Sequence, residues 1–267
     1  MNETPFRHAL IAGLLAVMLV TLPGCATKKP GEPIQTNSGT QEDGGYGDNR
    51  DPLEPLNRGL FKFNEVLDGV LLSPLAHIYR GVMPDFAQRS VRNFLVNLNS
   101  PVVFVNSMLQ WDTDNAGRTV ERFAINSTVG IAGLFDVATP MGIKKEHKKD
   151  FGQTLGVWGV GTGPYLYLPI LGPSDIRDGV GMIADIFDDP FTYIFTWQET
   201  AIRDGVRIIT TRADYLPLTD RINRDSLDPY TSYRSIYLQH RDKVVRNYLN
   251  RDAGLDTGKS AEKGTGK

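Results

Sequence analysis

The sequence predicts an all-α domain over residues 51–251, and three observations predict it. Apolar residues recur three and four apart through most of that span, the spacing of a helix face. The stretches open on Asp, Ser or Pro, residues that start helices. Strand-like alternation is rare outside 157–171. The chain of 267 residues is 40% hydrophobic, enough for a core without staples. Its formal net charge of −2 gives no electrostatic footprint for nucleic acid. No Lys/Arg block marks a polybasic membrane patch.

Residues 1–24, MNETPFRHALIAGLLAVMLVTLPG, come first. Arg7 and His8 precede an apolar run from Ala9 to Leu22. That run is short of the about 20 residues a membrane span needs, so it reads as a cleaved secretory signal. Leu22-Pro23-Gly24-Cys25 resembles the lipobox of bacterial lipoproteins, with Pro23 departing from the usual small residue. Cys25 is the single cysteine of the chain. The resemblance implies a diacylglycerylated thiol and an acylated amine at Cys25, the lipid anchor. Ala26 after it, rather than Asp, implies the outer membrane. Residues 25–50 then form the lipidated cysteine and a tether rich in Gly, Pro, Ser and charge, with no apolar periodicity.

The helices follow in order. Asp51-Pro52 offers a capping carboxylate and a first-turn proline, with Leu56, Leu60, Phe63 and Leu67 as an apolar stripe. Pro84-Asp85 opens a second helix, whose face is Phe86, Val91, Phe94, Leu95 and Leu98. Ser100-Pro101 opens a third, VVFVNSMLQW, apolar nearly all round. Asp112 or Asp114 caps a fourth, with Val120, Phe123 and Ala124 inward. Pro173-Ser174-Asp175 caps a fifth, striped by Ile176, Val180, Ile183, Ala184 and Phe187. Pro190 begins a longer helix towards Arg212. Asp228-Pro229 begins the last, with Tyr230, Tyr233, Ile236, Tyr237, His240, Val244 and Tyr248 at helical steps. Residues 252–267 read as a polar, disordered tail.

Between these helices Phe151–Ser174, FGQTLGVWGVGTGPYLYLPILGPS, runs 24 residues without a charge. It holds six glycines and three prolines. Proline forbids a continuous helix, and glycine serves where backbone bends or approaches closely. On the residues alone, two readings stand level. One is a buried hairpin whose glycines make turns; the other is a flexible wall of a lipid path.

The motifs of several enzyme classes are missing. Gly258-Lys259-Ser260 lacks the earlier glycine of a phosphate loop, since Ala253 stands there. There is no G-x-S-x-G elbow and no H-E-x-x-H. His77, His147 and His240 are not at metal-ligand spacing from one another. Asp185, Asp188 and Asp189 read as a helix end and the next cap rather than a catalytic pair. The expectation is a binding or conduit protein with no catalytic residue, no metal and no cofactor.

Five blocks in this order resemble the MlaA (VacJ) family of outer-membrane lipoproteins. They are DPLEPLNR (51–58), FNEVLD (63–68), GRTVERFAINSTVGIAGLFDVA (117–138), the stretch 150–178, and DPYTSYRSIYLQHR (228–241). The resemblance implies a ring-shaped helical domain with a central amphipathic channel, set in the inner leaflet of the outer membrane and associated with a trimeric porin. It implies passage of misplaced phospholipid from the outer leaflet to a periplasmic carrier of the MlaC type. The block 150–178 matches the channel hairpin of the family. On that match Gly156, Gly159, Gly161 and Gly163 are its flexible points, followed by Pro164, with Tyr165 and Leu166 beside the lumen. Two rivals are a lipoprotein that organises porins without moving lipid, and a phospholipase, which the missing nucleophile elbow disfavours.

Overall fold

The structure is a computed structural model in which residues 51–252 are described. The signal (1–24), Cys25 with its tether (25–50) and the tail beyond Asp252 lie outside the described residues. Helix α1 (Glu54–Leu67) continues through a π-helical turn, Asp68–Leu72, into α2 (Ser73–Val82). Then come α3 (Asp85–Leu109), α4 (Thr113–Thr128) and the short α5 (Phe151–Val157). Strands β1 (Tyr165–Leu168) and β2 (Gly172–Asp175) pair antiparallel, Tyr165 opposite Asp175 and Leu168 opposite Gly172. Helices α6 (Ile176–Asp188), α7 (Phe191–Ile194), α8 (Trp197–Asp225) and α9 (Pro229–Asp252) complete the domain. It is helical with one irregular hairpin. α3 packs on α4, α5 on α6, and α2 on α8.

Side-chain oxygens start α4, α5, α6 and α8. Asp112 accepts from the Asn115 amide, Asp150 from Gln153 and Asp175 from Asp178. Thr196 and Glu199 form a reciprocal capping box on α8. Two expected starts differ. Asp51 does not cap α1, which opens at Glu54; its carboxylate turns inward to Asn57 and Tyr230. Ser100-Pro101 opens no helix, because Pro101 lies inside α3. An interior proline costs about 3 kcal/mol. Both halves of α3 are fastened to α4, which offsets that cost: Asn97 donates to Ser127 and Asn115 donates to Ser107, each at 2.8 Å.

The expected stripes exist, but several face outward. On α1, Leu56, Phe63, Val66 and Val70 form an exposed row that continues into the π turn. The opposite row, Asn57, Phe61, Asn64 and Asp68, faces the hairpin and α8. On α4 the buried row is Asn115, Thr119, Arg122 and Asn126, while Val120 is 50% exposed. On α6 the buried residues are Arg177, Asp178 and Gly181, while Ile176, Ile183, Ile186 and Phe187 are exposed. The largest side chains fully removed from solvent are polar, among them Gln110, Asn57, Asn106, Asn115, Thr119 and Thr154. Buried amides are tolerated when each finds partners. Broad apolar faces left open are the signal of an apolar neighbour.

Asn57 shows how the polar interior holds the hairpin. Its amide donates to the Tyr165 carbonyl at 2.9 Å and accepts from the Tyr167 amide at 2.9 Å. It therefore pairs with β1 as a backbone would. Asn64, two turns on, does the same at the hairpin tip with Leu168 and Ile170. Asn57→Ala leaves two strand groups buried and unpaired, at about 1–3 kcal/mol each. The expected result is a loss of about 2–4 kcal/mol in unfolding measurements, with faster hydrogen exchange at the Tyr167 amide.

Candidate functional site

The uncharged run begins and ends at one charged cluster. Asp150 stands before it, Asp175, Arg177 and Asp178 stand after it, and Arg241 of α9 joins them. Arg241 forks onto Asp150 with both contacts at 2.8 Å and reaches Asp178 at 2.7 Å. Arg177 bonds Asp178 at 3.1 Å, and the Tyr237 hydroxyl donates to Asp178 at 2.5 Å. Burial alone would raise the Asp150 carboxyl, but the hydrogen bonds and charge of Arg241 hold it below the usual range. Burial raises Asp175 above its ordinary value, although the hydrogen bond from the Asp178 amide opposes the rise.

Two glycines let the helices meet there. A Cβ on Gly181 of α6 would collide with the Gly152 backbone of α5. Gly156 lies in the last turn of α5, where a Cβ would stand 2.8 Å from the Arg177 guanidinium. Gly156 is thus a close-packing position of a helix, not a bend.

The next limb is different. Gly159, Gly161, Gly163 and Pro164 are exposed. Gly159 has φ +91° and Gly163 φ +70°, left-handed conformations that favour glycine. Gly161 lies outside that region and has open space around it. The limb is held at its far end by Arg177 and Ile176, whose amides donate to Thr162 and Pro164 carbonyls at 3.2 Å. Tyr165 is buried in an aromatic cluster with Tyr167 and Tyr230, against which Phe61 and Tyr237 pack. Leu166, on the other face of β1, is half-buried. The hairpin is therefore open along 159–164 and again at its tip, 169–171, and Tyr165 anchors it between them.

Behind α5 runs a ladder of buried polar groups. Asn106 donates to Asp185 at 2.9 Å, Thr154 donates to Asn106 at 2.7 Å, and Gln110 donates to Thr154 at 2.8 Å. Lys149 donates to Gln110 at 2.6 Å and lies over the Tyr248 ring. Burial pushes the Asp185 carboxyl up to about 6. The folded domain then holds this proton more tightly than the unfolded chain. Stability from this group is fully present below the ordinary carboxyl range and is lost as pH rises through about 6. Asp185→Asn keeps the oxygen that accepts from Asn106 and from the Phe151 amide. The variant is expected to match wild type at pH ~3 and to exceed it by about 2 kcal/mol at pH ~7.5, after allowance for solvent screening. Denaturant titration at the two pH values checks this.

Asn57, Asn64, Arg177 and Arg241 escape sequence reasoning about the site. A signal for the first two was present: they are seven apart on one helix face. The cation on α9 that would join the ends of the uncharged run carries no such local mark.

Among the described residues no helix is long and apolar enough to cross a membrane. The model of the MlaA lipoprotein family matches residues 49–244. The intermembrane phospholipid transport system lipoprotein MlaA of Escherichia coli (strain K12) is 36% identical over 86% of this chain and 87% of its own length. The protein of the same name from Haemophilus influenzae is 29% identical over 86% of this chain and 88% of its own. An uncharacterised protein of Rickettsia prowazekii (strain Madrid E) is 36% identical over 87% and 93%. A chain solved under the description "Structural basis for maintenance of bacterial outer membrane lipid asymmetry" superposes with a TM-score of 0.66. It has 37% identity, over 73% of this chain and 99% of that one.

Proposed function

This chain belongs to the MlaA lipoprotein family, and from that premise we propose that it is a passive phospholipid conduit of the outer membrane. It is anchored on the periplasmic side through lipidated Cys25. It removes phospholipids misplaced in the outer leaflet through a central amphipathic channel and hands them to a periplasmic carrier of the MlaC type. A trimeric porin holds it in place. It is not an enzyme.

The observation that carries this reading is the inverted polarity of α1 and α6, whose apolar rows are open while Asn57 in α1 and Arg177 and Asp178 in α6 are buried. Such faces suit acyl chains as surroundings. Exposing a two-chain lipid to water uncovers about 30 methylenes at about 0.8 kcal/mol each. A route without a chemical energy source must shelter the tails and keep the headgroup wet. The uncharged hairpin beside a polar interior suits both requirements. Its limb 159–164 contains two of the hairpin's three left-handed glycines and is exposed at Gly159, Gly161, Gly163 and Pro164, so it suits a movable wall.

The test is transfer in vitro. Full-length lipidated protein is placed in vesicles carrying fluorescent phospholipid, with a soluble lipid carrier outside and no nucleotide. Intact phospholipid is expected on the carrier, identified by mass spectrometry. No transfer would leave a lipoprotein that organises porins. Lysophospholipid or free fatty acid would instead mark a phospholipase.

A further inference from the structure

A cleft of about 170 Å³ opens between α1, the hairpin tip and α8. It is smaller than the roughly 300–1,000 Å³ of a pocket that engulfs a whole small ligand, so it suits the end of one. Three aromatic rings line it: Phe61, Tyr167 and Tyr233. Phe61 stands edge-on to Tyr167 at 5.3 Å and tilted to Tyr233 at 5.8 Å. Three charged groups line it as well: Glu65, Asp68 and Arg212.

Those charges do not cancel. Arg212 forks onto Asp68 at 2.5 and 2.8 Å and donates to Thr219 at 2.8 Å. That pair is neutral and self-satisfied. Glu65 forms no side-chain hydrogen bond or ion pair among the described residues. The cleft therefore holds one uncompensated carboxylate beside aromatic rings. An anion would meet a carboxylate that repels it, while an ammonium group would meet that carboxylate and rings whose π systems attract cations.

We propose that this cleft receives the ammonium end of a zwitterionic phospholipid headgroup. It gives the conduit a preference for ethanolamine-type over anionic glycerol-type lipids. The proposal rests on the conduit reading, because Tyr167, Ile170 and Gly172 of the hairpin form one side of the cleft. Glu65 supplies the charge and Tyr233 of α9 an aromatic ring; Asp68 and Arg212 brace the wall between α8 and the end of α1.

The test is equilibrium binding to the full-length lipoprotein in neutral detergent, followed by intrinsic fluorescence. The probes are dihexanoyl phosphatidylethanolamine, dihexanoyl phosphatidylglycerol and free phosphoethanolamine. Wild type is expected to bind the ethanolamine lipid about three- to tenfold more tightly than the glycerol lipid. Glu65→Gln and Tyr233→Leu should each shrink that ratio, and Glu65→Lys should invert it. Equal affinities in wild type, or a ratio unchanged by Glu65→Lys in a variant that melts as wild type does, overturns the proposal. Free phosphoethanolamine binding as tightly as the lipid would assign the cleft to a soluble amine and overturn the lipid assignment. These affinities are read without transfer, so failure of the conduit in vesicles and failure of the headgroup preference are separate results.

Discussion

Replacing Arg241 with alanine is expected to destabilise the domain by about 3–5 kcal/mol, the cost of removing one partner from a buried ion cluster. Arg241 forks onto Asp150 and reaches Asp178. Without it, Asp150 loses its bonds to a cation, and Asp175 and Asp178 are left to share Arg177. Both ends of the uncharged run would loosen together, since Asp150 caps α5 and Asp175 caps α6. Arg241→Lys should recover only part of the loss, because an ammonium cannot reproduce the planar fork. Unfolding in denaturant, in a mild detergent, reads both variants. A loss below about 1 kcal/mol for Arg241→Ala would mean that the cluster does not fasten the hairpin.

The second large effect falls on transport. Gly159→Pro is expected to abolish phospholipid transfer in the vesicle assay while leaving the melting temperature near that of wild type. Gly159 has φ +91°, and proline is fixed near about −65°. Its amide donates to the Gly156 carbonyl at 3.1 Å, a bond proline cannot make. Nothing lies within 4 Å of a Cβ built there, so the added side chain meets no packed neighbour and the strain falls on the exposed limb's own backbone. Gly161→Ala is the matched control, with open space and no left-handed backbone, and should transfer normally. Transfer at the wild-type rate by Gly159→Pro would show that the shape and mobility of this limb do not matter.

Much of the fold was legible because capping and helical periodicity are local. Asp112, Asp175 and the helix opening at Asp85 stand where the residues indicate. Pro101 misled because tertiary fastening to α4 outweighs a local penalty. The faces misled for a deeper reason. Periodicity finds the stripe of Leu56 and Phe63, or of Ile176 and Ile183, but not the medium it touches. The rule that apolar rows turn inward assumes water outside, and these rows are exposed. The site was legible only in part for a related reason. The glycine run marks the hairpin, yet its helix-borne Gly156 and its open Gly159 look alike as letters. They separate only when Arg177 is brought against one and nothing against the other. The clamps from Asn57 and Asn64 span more than 100 residues of sequence.

Surface phospholipid in intact cells tests the central claim most directly. A membrane-impermeant amine reagent labels phosphatidylethanolamine in the outer leaflet of cells with the protein, without it, and complemented with wild type or Gly159→Pro. The conduit account predicts that labelling rises on deletion, returns to its original level with wild type, and stays high with Gly159→Pro. Labelling that does not change on deletion, or that Gly159→Pro restores as fully as wild type, would contradict it.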